Sequence, residues 1–219
     1  MPDKFYDTLM RVPIIAYTIF FVVRELNGLR QIIGQHPTFD HDLGFIFNLA
    51  ARISVLQFML LLVLFHVVRY QPLKKFDALA PKVTALLGLT LSLTVLLLPR
   101  AGADPRFDGA SLLFTLSGNI LSSVALMTLG RSLSIMPEAR KLVVDGLYRW
   151  IRHPLYFAEE IALIGVFLQF RTWTAAALLS AHLIFQLLRM HWEEKILNES
   201  FPEYGEYCRR THRLIPGVY

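Results

Sequence analysis

Leu43–Val68 reads LGFIFNLAARISVLQFMLLLVLFHVV, twenty-six residues broken mainly by Asn48, Arg52, Gln57 and His66. A helix of that length crosses about 30 Å of hydrocarbon with some tilt. A soluble core rarely needs so long an apolar run, so this stretch sets the class: an all-α, polytopic integral membrane protein. Neighbouring stretches repeat the pattern. Val83–Leu98 stops at Pro99, and Ala110–Gly130 is rich in Ser and Gly, which suits close helix packing in lipid. Leu155–Phe170 and Thr172–Met190 form a helical hairpin about Arg171. Val12–Val23 is short and flanked by Arg11 and Arg24, so it is a snorkelling span or an interfacial helix. The expectation is about six helices, five to six of them spanning.

Composition agrees. Of 219 residues 54% are hydrophobic and only 18% charged, with a mean hydropathy of +0.46; soluble domains carry about 25% charge. Sixteen Phe and eight Tyr exclude a disordered chain, and the single cysteine, Cys208, excludes an internal disulfide framework. The net charge of +5 is read by position rather than as a nucleic-acid signal. With both termini inside, sixteen Lys and Arg fall on inner segments and five on outer ones. That bias puts both ends on the cytoplasmic side and requires an even number of spans. The start, MPDKFYDTLMRVP, has no feature of a cleavable signal.

Polar chemistry gathers in the loop Arg131–Pro154 and the tail Arg189–Tyr219, both on the inner side. The chain thus divides, within one structural domain, into helices 1–130 and a site-bearing region 131–219. His153, Tyr156 and Glu160 recur at helical spacing, as do Gln186, Arg189 and Glu193. Glu159 and Glu160 lie inside an apolar helix, where carboxylates face a partner or a polar cavity. A tight hairpin brings His153, Tyr156, Glu160, Arg189, Glu193 and Glu194 to one mouth. Arg52, mid-helix, snorkels or meets an acid on another helix. Each signal also has a plain reading: interfacial ion pairs for the acids, and an aromatic belt for Tyr148, Trp150, Tyr156 and Trp192. No His-Glu-x-x-His or Cys pair supports a metal, no Gly-x-Ser-x-Gly a hydrolase, and no Gly-x-Gly-x-x-Gly a Rossmann site.

The order Leu142-Val143, Gly146-Leu147-Tyr148, Arg152-His153-Pro154-Leu155-Tyr156, Glu193-Glu194, Phe201-Pro202-Glu203-Tyr204, Tyr207 and Arg213-Leu214-Ile215-Pro216 resembles the isoprenylcysteine carboxyl methyltransferase family, related to the phospholipid N-methyltransferases. The resemblance covers roughly residues 130–217. It implies an S-adenosyl-L-methionine site held by Arg140, Lys141, Leu142, Val143, Tyr148, His153, Pro154, Tyr156 and Glu194. It also implies a lipophilic or lipidated acceptor entering from the bilayer, with Arg189 near the family's substrate-facing Arg. Arg189 and, from its place on the face of His153 and Tyr156, Glu160 are the catalytic candidates. Family members commonly have Gly where this chain has Ala158. A carboxylate acceptor needs no base, whereas an amine or thiol must lose a proton. Two other classes compete: a membrane reductase using a nicotinamide cofactor, and a non-enzymatic scaffold or transporter.

Overall fold

The computed structural model describes residues 3–35, 43–102 and 104–217. Seven helices are present among them: α1 (Asp3–Gln35), α2 (Leu43–Val68), α3 (Leu79–Thr94), α4 (Pro105–Leu129), α5 (Pro154–Phe170), α6 (Trp173–Ser200) and α7 (Tyr204–Arg210). Two short strands, β1 (Lys74–Lys75) and β2 (Glu138–Ala139), pair antiparallel and tie the loop after α2 to the loop after α4. Five helical segments are long and apolar enough to cross a membrane: Arg11–Gly34, Phe45–Val68, Leu79–Leu97, Arg106–Ser132 and Trp173–Ser200. The fold is all-α and polytopic. At 17 residues, α5 has only the minimum length for a span.

Two helices run further than apolarity alone indicates. The first apolar stretch does not stop at Val23 but continues through Arg24 and Glu25 to Gln35, because those charges are met inside the bundle. Arg24 donates to the Leu96 carbonyl at the end of α3. Glu25 pairs with Arg52 of α2 at 3.0 Å, which is the acid partner expected for that mid-helix arginine. Likewise α6 passes Met190 and ends at Ser200, so Arg189, Glu193 and Glu194 stand on a rigid helix rather than on a tail.

Small residues decide the packing of α4 on α5. A Cβ on Gly118 would stand 2.7 Å from Ala162 Cα, and one on Gly165 would stand 2.6 Å from the Ser111 carbonyl oxygen. Ser111 Oγ donates to the Gly165 carbonyl at 2.8 Å across the same seam. The chain reverses at Arg171, whose left-handed backbone (φ 44) caps α5. Beyond that turn α5 lies mainly on α4 and α6 mainly on α3. An apolar cluster of Leu62, Ala125, Leu126, Leu133 and Leu155 joins α2 and α4 to the start of α5. Outside, Leu113, Ile120, Trp173 and Ile184 project freely, as a lipid-facing surface requires.

Candidate active site

Pro154 begins α5, where its missing N–H costs nothing, and fixes His153 at the mouth of the helix. The backbone there is stitched to a later part of the chain. Ile151 and His212 form a parallel bridge, with Arg152 N donating to the His212 carbonyl (2.8 Å) and His153 N to the Arg213 carbonyl (3.2 Å). Tyr207 Oη donates to the Tyr148 carbonyl at 2.7 Å. The loop before α5 and the segment after α6 therefore form one wall.

Glu194 is the hub of that wall. Its Oε1 accepts from Arg152 Nε at 2.8 Å and lies 3.2 Å from His153 Nε2, while Oε2 lies 3.1 Å from Arg213 Nε. Arg152 also donates to the carbonyls of Cys208 (3.1 Å) and Thr211 (2.8 Å). Burial opposes the Arg152 charge, but the Glu194 carboxylate outweighs it and holds the guanidinium above its ordinary pKa. Burial raises the Tyr148, Tyr204 and Tyr207 phenols, which stay protonated donors.

In front of the wall lies a cavity of about 130 Å³ whose lining mixes charged and aromatic side chains with leucines and a valine. Arg140, Lys141, Leu142, Val143, Tyr148, His153, Tyr156 and Arg189 all line it, whereas Pro154 and Glu194 do not. Arg140 is sealed, its guanidinium on Glu138 Oε2, which also accepts from Ser134 Oγ at 2.9 Å. Lys141 is exposed at the rim. Tyr156 stacks on His153 with centroids 5.4 Å apart and donates to Glu193. Arg189 sits 4.9 Å from the same tyrosine's ring centroid.

A second, largely apolar cavity of similar volume lies deeper in the bundle, walled by residues of α1 to α6 such as Phe58, Met59, Leu93 and Val166. Leu62, Leu89, Glu159 and Arg189 line both spaces and make the boundary between them. Arg189 Nη1 donates to Gln186 Oε1 (3.1 Å), and Gln186 Nε2 donates to Glu159 Oε2 (2.8 Å).

Glu160 lines neither cavity. Three and four residues beyond Tyr156, the paired acids of α5 fall on either side of one ridge. Glu159 turns to the boundary, and Glu160 turns to His182 of α6, 3.2 Å from its Nε2. His182 Nδ1 donates to the Gly88 carbonyl at 2.7 Å. Sequence reasoning placed Glu193 at the mouth without a role and gave none to Arg152, Glu159, Tyr204 and Tyr207, although all carried visible side-chain chemistry. The Ser132–Met136 stretch of the lining carries no such signal; its Ile135 carbonyl faces Arg189 through the backbone.

The elements that carry this geometry, from the α4 seam through Arg189 and Glu194 on α6, fall in the segment matched by the family model described as isoprenylcysteine carboxyl methyltransferase, residues 111–199. Curated relatives fall into two named groups. The chain is 33% identical over 121 residues to the cobalt-zinc-cadmium resistance protein CzcN of Cupriavidus metallidurans, covering 51% of this chain and 54% of that protein. It is 33% identical over 82 residues to the nickel-cobalt-cadmium resistance protein NccN of Alcaligenes xylosoxydans xylosoxydans, covering 36% and 38%. It is 30% identical over 109 residues to protein-S-isoprenylcysteine O-methyltransferase B of Arabidopsis thaliana, covering 46% and 55%. The chain thus spans between about two fifths and just over half of these relatives' lengths. Among the described residues no three His, Cys, Asp or Glu side chains group as metal ligands.

Proposed function

We propose that the protein is an integral membrane methyltransferase that moves a methyl group from S-adenosyl-L-methionine to a lipophilic acceptor. The observation that carries this reading is the pair of cavities, one bearing charged and aromatic side chains, one almost wholly apolar and within the bundle, meeting at Glu159 and Arg189. The match of residues 111–199 to the family model and the O-methyltransferase name of one relative support the same chemistry.

The polar lining fits the donor's chemistry. Lys141 at the rim offers a mobile cation for an α-carboxylate, and Glu193 offers acceptors for an amine or ribose hydroxyls. Tyr148 and Tyr156 present aromatic faces suited to adenine and to a nearby cation. His153 and Pro154 shape the approach, and Glu194 fixes Arg152, His153 and Arg213 behind them. Leu142 and Val143 close the apolar side. Bound S-adenosyl-L-methionine would supply an electrophilic methyl carried on a sulfonium.

Residues 1–130 contribute Thr18, Met59, Leu93 and Asn119 to the deeper cavity, which suits an acceptor arriving from lipid. Methyl transfer is an in-line displacement that depends on alignment at about 3–3.5 Å. Arg189, held by Gln186, spans the boundary and orients the two partners. The basic bias of the inner segments supports a cytoplasmic site, where the donor is made available.

Calorimetry on detergent-purified protein tests the reading. Micromolar binding of S-adenosyl-L-methionine, weakened by Glu194→Gln and by His153→Ala, is expected; well-folded protein that binds none rules it out.

A further inference from the structure

Resting on that reading and going past it, we infer that Glu160 and His182 are positioning residues for Arg189, acting on it through Gly88. Arg189 is buried, yet its charged end is held loosely. Nη1 donates to Gln186 Oε1 at 3.1 Å and Nη2 to the Ile135 carbonyl at 3.5 Å. Glu193 stands 4.0 Å away, and Nε meets no acceptor among the described residues. Charge-assisted bonds that fix a guanidinium run at about 2.7–2.9 Å. Contacts this long leave the arginine's place to be set by what its stem rests on. That support is Gly88 of α3, where a Cβ would stand 2.9 Å from Arg189 Cδ.

His182 decides where that support lies. Its Nδ1 donates to the Gly88 carbonyl at 2.7 Å, which draws this turn of α3 onto α6. A ring nitrogen that donates to a carbonyl keeps its proton there, so the other nitrogen, Nε2, needs a partner of its own. It faces Glu160 Oε1 at 3.2 Å. A single proton between those two atoms serves both, whichever of them carries it. With both nitrogens engaged, the buried imidazole is fixed against a ring flip that would release Gly88.

The two adjacent acids of α5 thus work on one arginine. Glu159 reaches its head through Gln186, at 2.8 Å and then 3.1 Å. Glu160 reaches the floor beneath its stem through His182 and Gly88. His182, Gln186 and Arg189 recur at spacings of four and three along α6, so both arms meet one buried face. His182, Gly88 and Arg189 all line the deeper cavity, so a shift in any of them is felt where the acceptor would lie. Glu160 lines neither cavity and needs no contact with donor or acceptor to act in this way.

The test uses the full chain in detergent, radiolabelled S-adenosyl-L-methionine and a pair of carboxylate probes, N-acetyl-S-farnesyl-L-cysteine and decanoate. Asparagine keeps an N–H where His182 has Nδ1, whereas glutamine keeps one only where it has Nε2. His182→Gln should therefore lower kcat by about 10- to 100-fold, as a displacement of about 1 Å at a reacting centre does, with the KM for the donor changed less than about twofold. His182→Asn should lose far less. Glu160→Met should fall with His182→Gln, and Glu160→Gln, which can still bond the ring, should recover most of the rate. Glu160→Met placed on His182→Asn should add no further loss, because the group it acts through is gone. Melting temperatures separate this role from packing. A lowered Tm with kcat per folded molecule unchanged, equal losses in His182→Asn and His182→Gln, or additive losses in the double variant overturns the inference. Donor binding without transfer to either probe overturns it too, because a seated Arg189 is what aligns donor and acceptor. Absence of donor binding in folded natural protein instead overturns the methyltransferase reading, and this inference with it.

Discussion

Gly88 of α3 lies so close to Arg189 of α6 that a Cβ at position 88 would stand 2.9 Å from Arg189 Cδ. The glycine is the floor on which the boundary arginine rests, and its carbonyl also receives His182. Gly88→Ala forces Arg189 to shift, and displacements of about 1 Å at a reacting centre cost on the order of 100-fold in rate. The expected outcome is a loss of methyl transfer of about 10- to 100-fold with donor binding little changed. Steady-state kinetics beside calorimetry checks it; an equal loss in both measurements would show that the floor serves the whole site instead.

Glu194 meets Arg152, His153 and Arg213 at once, so replacing it leaves the two guanidiniums and the imidazole facing one another. The cluster is partly open to solvent, which limits the cost. Glu194→Gln should lower stability by about 1–3 kcal/mol and loosen the segment after α6. Hydrogen exchange should rise at residues 204–213 before it rises in α4 or α5. Uniform protection in the variant would refute the hub role.

The raised phenols give a pH dependence of definite sign. In the unfolded chain Tyr148, Tyr204 and Tyr207 lose their protons near pH 10, whereas in the fold burial keeps them protonated above that. The unfolded state therefore binds fewer protons at high pH, and stability present below about pH 10 falls as pH rises beyond it. Tyr207→Phe also strips the Tyr148 carbonyl of its donor, costing about 1 kcal/mol. Thermal unfolding between pH 8 and 11.5 should show a flatter alkaline decline in the variant than in the natural protein.

The Glu25–Arg52 pair sits within the spanning part of α1 and α2, so each charge depends on the other. Glu25→Gln alone should destabilise by about 3 kcal/mol or more by leaving Arg52 uncompensated, and Arg52→Gln should act similarly. The double substitution should recover most of the loss. A double-mutant cycle in detergent measures this directly, and additive losses would disprove the coupling.

At the α4–α5 seam the limit is steric. Gly118→Val drives a side chain into Ala162, and Gly165→Val into Ser111 and Thr115, each costing about 1–3 kcal/mol or preventing assembly. Folded yield and melting temperature report it, and an unchanged melting point would mean that the seam opens freely.

The long apolar stretches made the helical class readable, and the small residues of α4 announced close packing before any partner was known. Charges inside apolar runs were harder to read: Arg24 and Glu25 look like a helix end until Leu96 and Arg52 are seen to receive them. The site divided in the same way. Arg152-His153-Pro154 and the Glu193-Glu194 pair stood out as residue types, and spacing alone placed Tyr156 with Glu193. Spacing singled out Glu160 with His153 and Tyr156; only the positions of Gln186 and His182 on α6 send Glu159 to the boundary and Glu160 away. The deeper cavity was invisible because leucines and methionines that line a space look like those that fill one.

The bridge between Ile151 and His212 has a consequence for biogenesis. A ribosome making this chain delivers α1 to α6 before residues 212 and 213 exist. The spanning bundle can thus be inserted while the first cavity still lacks the strand that backs His153 and the arginine that completes the Glu194 cluster. Completion of the cavity wall is thus a separate, final event, and a stalled chain ending near Ser200 would carry the six helices without it.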